Sequence, residues 1–331
     1  MAKLAIGCHV SAAGGVFNAP KNAVDLGCET FQIFTRPPMG GKAPVIEDLM
    51  IERFKIEMQK YKFDTFVVHC PYFVNFGSKE PRIYHGSISV VGEEMKRANM
   101  LGAKYVMTHL GSGKDLGQAA AVKQAKKGLL DVLEKYEGRT QFLLEIAAGA
   151  GETLGGTFEQ LAELMEPLIK FKIFGGICFD TQHAFASGYD LRDEKAVVET
   201  FKQFDKVIGL KWLKMSHIND SKIDLGGKKD RHEHIGDGKI GEKGFGALVR
   251  YFSNLSRPSG ALGAPSPLLG EGNNVAFGAK HTLSVASNAT SPPKGENNNV
   301  AFGAMPLIFE TEHDKVKEDI EILKKLRNKV K

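Results

Sequence analysis

The chain has 331 residues, of which 42% are hydrophobic and 25% are charged, with 37 glycines and a formal net charge of +5. This apolar content excludes a wholly disordered chain, and no run of about 18 apolar residues predicts a membrane-spanning helix. Lys and Arg exceed the acids only slightly, 44 against 39, which allows a polyanionic partner but shows no dense basic arm.

The amino-terminal region and the cysteines both favour a cytoplasmic protein. The apolar stretch after Met1 is too short for the core of a signal peptide. The four cysteines lie far apart, without a Cys-x-x-Cys pair, at Cys8, Cys28, Cys70 and Cys178. This spacing argues against a disulfide framework and against a cysteine zinc site. We therefore expect reduced, mostly buried cysteines, and no membrane partner.

Short apolar runs typical of strands alternate with helical patterns along the chain. Strands are predicted at residues 3–10, 30–34, 65–69, 104–109, 141–145, 176–180, 211–217 and 306–310. Helices are predicted at 18–26, 47–61, 88–101, 119–136, 158–171, 195–208 and 244–252. Thr157 with Gln160 resembles a capping box, and Gly102 is a predicted helix stop. The alternation indicates a parallel α/β protein, either a doubly wound sheet or a (β/α)8 barrel.

The stretch from residue 256 to 304 interrupts this alternation. It is rich in Gly, Pro, Ser, Asn and Ala, and the heptapeptide Asn-Asn-Val-Ala-Phe-Gly-Ala occurs in it twice, at 273–279 and 298–304. Two copies are too few for a solenoid. We expect a low-complexity inserted loop, irregular or disordered, between the last helix and strand of a single domain spanning residues 1–331. Its composition identifies no partner.

Six successive predicted strands end in a histidine or a carboxylate, at His69, His109, Glu145, Asp180, His217 and Glu310. One such residue is ordinary, but six in succession indicate a shared site. In a closed parallel barrel the carboxyl ends of the strands surround one mouth, whereas an open sheet would spread them along a line. The prediction is therefore a (β/α)8 TIM barrel with its site at that mouth.

A group of three histidines and three carboxylates would be costly to bury without cations. Mixed imidazole and carboxylate donors suit zinc, manganese or iron. Two local motifs enlarge the set: His183 follows Asp180 by three residues, and Asp230 and His232 are two apart. Nine candidate ligands predict two or three divalent ions. Clusters of this kind activate water and stabilise the leaving oxygen in phosphoryl displacement.

Five motifs of the chain resemble those of the endonuclease IV family, the zinc-dependent apurinic/apyrimidinic (AP) site deoxyribonucleases, or AP endonuclease family 2. They occupy residues 9–15, 180–191, 217–222, 230–236 and 306–311. The resemblance runs from about residue 4 to 326, apart from the insertion. It implies a DNA-repair hydrolase that cuts duplex DNA 5′ to an abasic site, leaving a 3′-hydroxyl and a 5′-deoxyribose phosphate. It also implies three Zn²⁺ ions per chain, which Mn²⁺ or Fe²⁺ can replace in part.

The resemblance further implies a role for each candidate ligand. The first ion would be held by His69, His109 and Glu145, the second by Glu145 as a bridge with Asp180, His217 and Glu310, and the third by His183, Asp230 and His232. Glu145 is accordingly the expected catalytic residue. Tyr72 matches a family residue that inserts into DNA at the lesion. We expect the enzyme to be a monomer.

Some positions depart from the family's motifs. The second βα loop, residues 35–42, differs from that of the better-known bacterial members, and Arg36 and Lys42 are the predicted DNA contacts there. Ile146 and Ala147 follow Glu145 where Asn and Thr are common, so the surroundings of the ligands are altered. His9 lies in a family motif and is a candidate site residue without an assigned role.

The sequence leaves two other functions open. A sugar isomerase or epimerase would share the barrel and use histidines and carboxylates on one or two ions, but it does not require the group formed by His183, Asp230 and His232. A lesion-binding protein disabled by the insertion would bind abasic DNA without cutting it. The number of bound ions and an incision assay distinguish these functions.

Overall fold

Eight parallel strands close into a barrel in the structure, a computed structural model that describes residues 4–255 and 304–330. The barrel strands are β1 (Leu4–His9), β2 (Thr30–Ile33), β3 (Val67–His69), β4 (Tyr105–Thr108), β5 (Gln141–Glu145), β6 (Phe174–Asp180), β7 (Leu213–His217) and β10 (Met305–Phe309). Two short strands, β8 (Asp220–Ser221) and β9 (His232–Glu233), form a separate antiparallel pair. The predicted insertion, residues 256–304, lies outside the described residues except for Ala304.

The barrel closes because β1 pairs with the last strand on one side and with β2 on the other. Ile6 lies opposite Leu307 in the first of these pairings, and Cys8 lies opposite Phe31 in the second. The helices in the described residues are α1 (Ala19–Asp25), α2 (Asp48–Lys60), α3 (Pro81–Leu101), α4 (Gln118–Glu134), α5 (Phe158–Met165), α6 (Thr181–Ser187), α7 (Glu194–Val207), α8 (Gly241–Leu255) and α9 (Val316–Asn328). The TIM-barrel prediction is confirmed.

Several helix boundaries differ from their predictions for local reasons. Helix α3 begins at Pro81, seven residues early, because a proline at the first helical position already has a helical φ. It ends before Gly102, whose φ of 83° forms the predicted stop. The backbone N–H of Gln160 donates to Thr157 Oγ1, which confirms the cap of α5. The reciprocal half of the capping box is absent from α5, since the Gln160 side chain accepts from the backbone N–H of Gly155.

Alternate residues of each strand face opposite sides of the barrel wall. One set faces outward and joins the helices in the main hydrophobic core, with Val68 and Val106 as examples. The other set forms a smaller, separate cluster that fills the barrel interior: Val67, Tyr105, Met107, Leu143, Cys178, Met215 and Ile308. This apolar layer is the floor on which the polar residues of the mouth lie.

Candidate metal centre at the barrel mouth

Six candidate ligands follow the interior apolar layer by two residues on their strands. His69 follows Val67, and Glu145 follows Leu143; His109, Asp180, His217 and Glu310 have the same spacing from members of that layer. Since strand side chains alternate with a period of two, these six side chains point to the barrel axis, one layer closer to the mouth. The strand-end pattern in the sequence therefore corresponds to one ring of polar groups.

Glu145 lies at the middle of this ring and is fully buried. Its Oε2 atom is 3.2 Å from Nε2 of His69 and 3.6 Å from Nε2 of His109, and its Oε1 atom is 2.8 Å from Nδ1 of His217. Burial alone would raise the pKa of Glu145, but His109 and His217 hold it well below its ordinary value. The carboxylate therefore stays charged and is shared between two groups of histidines.

The second group of ligands surrounds Nδ1 of His217. Besides Glu145, this nitrogen lies 3.2 Å from Oε2 of Glu310 and 3.7 Å from Oδ2 of Asp180. The ligand atoms of these four residues all fall within 4.8 Å of one another, as do those of His69, His109 and Glu145. The structure thus brings together the residues that the family resemblance implies for the first and second ions.

The third group lies on the outer side of the ring. Nε2 of His183 and Nε2 of His232 are each 3.3 Å from an oxygen of Asp230, and Asp180 Oδ2 lies 3.8 Å from the latter nitrogen. Both nitrogens are buried, yet neither has a hydrogen-bond partner among the described residues. Unpaired imidazole nitrogens aimed at a shared carboxylate match a cation-binding arrangement.

Backbone carbonyls fix the orientation of two ligand histidines. Nδ1 of His69 contacts the carbonyl oxygen of Cys70, and Nδ1 of His183 lies 2.9 Å from the carbonyl oxygen of Ile146. When Nδ1–H donates to the carbonyl, Nε2 of each ring carries no proton, and its lone pair is free to bind a metal ion. Because Ile146 acts through its backbone, the apolar side chain at this position does not remove the support of His183.

The loop that carries Asp230 and His232 is anchored to the rest of the barrel by buried carboxylates. Asp220 accepts hydrogen bonds from the backbone N–H groups of residues 236, 238, 240 and 241. Nδ1 of His234 lies 2.6 Å from Asp319 of α9, whose other oxygen accepts from the Ile235 N–H. The third group is therefore held in place from outside its own loop.

The predicted DNA-contact residues differ in exposure. The side chain of Tyr72 is 53% exposed at the rim, and its ring lies 5.3 Å from that of Phe34. Lys42 is exposed and lines a cavity of about 690 Å³ together with His9. Arg36 is only 7% exposed, with its Nε 2.6 Å from Glu94 of α3.

The burial of Arg36 is a departure from expectation with a simple cause. Helix α3 supplies Glu94, and also Glu93, whose Oε2 atom lies 2.7 Å from Nη2 of Arg36. Both carboxylates are more than 50 residues away in the sequence, so the second loop gives no sign of them. This pairing disfavours a direct contact between Arg36 and DNA.

Two buried amides that the sequence analysis did not assign also contact the ring. Asn219 donates from Nδ2 to Asp180 and accepts through Oδ1 from the backbone N–H of Glu310, both at 2.8 Å. Gln32 of β2 contacts His217 and Glu310. Gln32 is a polar residue within the apolar run of β2, and this was the sequence signal that could have identified it. Asn219 lies within the motif at residues 217–222.

Comparison with known proteins now gives this geometry a family. Residues 20–251 match the protein family described as a xylose isomerase-like TIM barrel. The chain is 41% identical over 255 residues to a probable endonuclease 4 of Nitrosopumilus maritimus, covering 76% of this chain and 91% of the relative. It is 36% identical over 252 residues to a probable endonuclease 4 of Aquifex aeolicus, covering 75% and 88%.

The chain belongs to the endonuclease IV family. It is accordingly a hydrolase of the nuclease class, and its family is one of DNA-repair nucleases. Endonuclease IV from Thermus thermophilus superposes with a TM-score of 0.73 at 23% identity, covering 98% of this chain and 99% of that one. A D-tagatose 3-epimerase-like protein superposes at 0.64 with 16% identity, covering 99% and 98%. At these identities the likeness shows the shared barrel alone.

None of the helices in the described ranges is long and apolar enough to cross a bilayer.

Proposed function

We propose that this member of the endonuclease IV family hydrolyses the phosphodiester bond 5′ to an abasic site in duplex DNA, using three zinc ions. The products are a 3′-hydroxyl and a 5′-deoxyribose phosphate. The observation that carries the proposal is the set of three adjoining ligand groups at the mouth, which share Glu145 and Asp180. A sugar isomerase on the same barrel does not require the third group.

Unpaired buried nitrogens in the ligand groups support the binding of divalent cations. Buried Nε2 atoms of His183 and His232 lack hydrogen-bond partners in the described part of the chain, and such atoms are costly to leave unpaired. Imidazole and carboxylate donors in groups of three or four are typical of zinc. When bound, the ions supply positive charge to the phosphate oxygens and make a water more acidic.

The chain's own residues suit a charged nucleic-acid substrate. A cavity of about 520 Å³ opens at the mouth and is lined by Tyr72, by carboxylates that include the ligands Asp230 and Glu310, and by three cationic side chains, Lys222, Arg231 and Lys315. These cations attract the phosphate backbone, and the ligand groups lie beneath it. Tyr72 stands at the edge of this cavity, where an aromatic ring can insert beside an unstacked nucleotide. A flipped sugar would enter the cavity, as enzymes that act on single nucleotides require.

An incision assay tests the proposal. We expect the zinc-loaded enzyme to nick a labelled duplex at a single abasic analogue and to leave an end that a DNA polymerase extends. Chelation should abolish nicking, and Zn²⁺ should restore it. Nicking that survives full chelation, or an end that cannot be extended, would contradict the proposed chemistry. Two ions per chain without incision would favour the epimerase.

A variant pair locates the activity in the third group. Asp230→Asn removes the carboxylate charge between His183 and His232, so we expect nicking to fall by at least about tenfold. Asp224→Asn is the matched control, since Asp224 is exposed and its carboxylate lies 3.9 Å from Lys239, away from the ligand groups. Equal activities of the two variants would exclude a role for the third group.

A further inference from the structure

Gln32 occupies a central place in the ring without belonging to any ligand group. It lies on β2, between β1 and β3, and is fully buried. Its Oε1 atom is 2.8 Å from Nε2 of His217. Its Nε2 atom is 2.6 Å from Oε1 of Glu310 and 3.1 Å from Nδ1 of His9. One side chain therefore contacts two residues of the second group and the unassigned residue His9.

The carboxylate of Glu310 determines which way the Gln32 amide faces. A carboxylate oxygen can only accept, so the amide NH₂ must point to Glu310 and the amide oxygen to His217. The reversed amide would place two oxygens 2.6 Å apart. The second N–H of the amide is then directed at Nδ1 of His9, which accepts. The oxygen and both N–H groups of the Gln32 amide thereby have partners.

This orientation also fixes the tautomer of His217. Because Gln32 offers an oxygen, Nε2 of His217 must carry the proton and donate. Nδ1 then carries no proton, and its lone pair is free to bind a metal ion. This is the nitrogen that faces Glu145, Asp180 and Glu310. His69 and His183 have the opposite arrangement, with Nδ1 engaged by backbone carbonyls. The contact from Gln32 accounts for the reversed arrangement of His217.

His9 supports the amide from the other side. Its ring lies 4.3 Å from the ring of Phe34, and its carbonyl oxygen accepts from Nε2 of His313. Accepting at Nδ1 requires the proton to be on Nε2, so His9 also has one defined tautomer. A ring fixed in this way keeps the Gln32 amide from rotating.

We propose that Gln32 is a positioning residue that selects the Nε2–H tautomer of His217 and orients Glu310, and that His9 supports it. The proposal rests on the metal centre of the proposed function. It gives His9 a role through Gln32, without contact with the substrate. Outer partners of metal ligands commonly change metal affinity by about 10- to 100-fold.

The tautomers are measured directly in the unaltered protein. Nitrogen-15 NMR of the zinc-loaded enzyme, with labelled histidine, reports which ring nitrogen carries a proton and which binds metal. We expect His217 to bind zinc through Nδ1 with a proton on Nε2, and His69 and His183 to bind through Nε2. Binding of His217 through Nε2 would overturn the proposal, whatever any variant does.

A variant pair measures the consequence for metal binding. Gln32→Met keeps the length of the side chain and removes its polar atoms. Thr30→Val is the matched control, because Thr30 is buried on the same strand and its hydroxyl donates to the backbone carbonyl of Thr65, outside the ligand groups. In a competition titration with a chelator, we expect Gln32→Met to bind its most weakly held zinc about 10- to 100-fold less tightly than either the wild type or Thr30→Val.

The outcomes separate this inference from the proposed function. Wild-type zinc affinity in a folded Gln32→Met variant overturns the positioning role, even if its melting temperature falls. A wild-type enzyme that binds no divalent ion contradicts the proposed function itself. If Gln32→Met does not fold, the NMR measurement on the wild type decides.

Discussion

Glu145 lies on the boundary between two ligand groups, and none of its surface is open to water. Nε2 of His69 and Nδ1 of His217 approach its two different oxygens. Because the side chain is fully buried, solvent cannot compensate for the loss of its negative charge. Loss of its charge would therefore leave the facing nitrogens of His69 and His217 without their shared carboxylate.

The substitution Glu145→Gln tests that sensitivity. The amide keeps the size of the side chain but loses the negative charge and one acceptor oxygen. We expect single-turnover incision of abasic duplex to fall by at least about 100-fold, with binding of the duplex largely kept, since Tyr72 and the cations Lys222, Arg231 and Lys315 are unchanged. Fluorescence anisotropy measures the binding. Glu152→Gln, at an exposed position of the loop after the same strand, is the control. Near wild-type turnover would refute the bridging role.

The individual residues of the ligand ring could be predicted from the sequence. The side chains that hydrogen-bond to those residues, such as Gln32, could not. His69, Glu145 and their counterparts are polar residues at the ends of apolar strands, and that local pattern specifies both face and layer. Gln32 contacts His217 across 185 positions of the chain and Glu310 across 278. No local pattern encodes such pairings. The burial of Arg36 was not predicted for the same reason, since its partners are on α3.

Helix α9 fastens the carboxyl-terminal end of the chain to the first two strands. Arg327 donates to the carbonyl of Leu4 at 2.7 Å, and its guanidinium lies 2.9 Å from Oε1 of Glu29. Burial would raise the pKa of Glu29, but hydrogen bonds from Arg327 and from the Ile6 N–H lower it overall. The folded protein thus favours the charged carboxylate.

That shift predicts a pH dependence of stability. A carboxylate with a lowered pKa in the folded state stabilises the fold above the ordinary carboxyl pKa, and the contribution is lost as the pH falls through the folded-state pKa. We expect Glu29→Gln to lower the free energy of unfolding by about 1 kcal/mol at pH 7 and by much less near about pH 3. Denaturant unfolding at both pH values measures this. Glu52→Gln, at an exposed position of α2, should change neither value. A pH-independent loss would assign the effect to packing.

Helix α9 also shows what the sequence offered at the level of elements. It was not predicted, although the buried Val316, Ile320 and Leu323 recur at helical spacing. Barrel strands were located well because each is a short apolar run between polar segments. The end of α5 was placed six residues late, at 171 in place of Met165, since the turns that follow it keep apolar residues such as Leu168 in the core.

At the scale of the whole molecule, the two ends of the barrel have different tasks. The ligand groups lie at the carboxyl ends of the strands. The sequence at 256–304 follows α8, which ends at Leu255, and precedes β10, which begins at Met305. The described residues that flank it, Leu255 and Met305, therefore lie toward the amino end of β10, opposite the mouth.

Removal of residues 259–303 should consequently leave incision almost unchanged. We expect kcat/KM on abasic duplex within about twofold of the full chain, because loop length affects closure by only about 0.6 kcal/mol per doubling. The melting temperature of both proteins verifies that the shortened chain folds. A folded deletion variant without activity would show that the segment takes part in catalysis or DNA binding.

The Asp220 carboxylate has a consequence for protein engineering. It determines the course of residues 236–241 from outside that loop, through hydrogen bonds to the backbone, and a Cβ at Gly238 would lie 2.3 Å from its Oδ1 atom. The course of the loop is thus specified largely by one distant acid and by glycine, while the side chains of Asp237 and Lys239 form exposed ion pairs with Lys315 and Asp224. These two positions can therefore be randomised in a library while the backbone hydrogen bonds that fix the loop are kept.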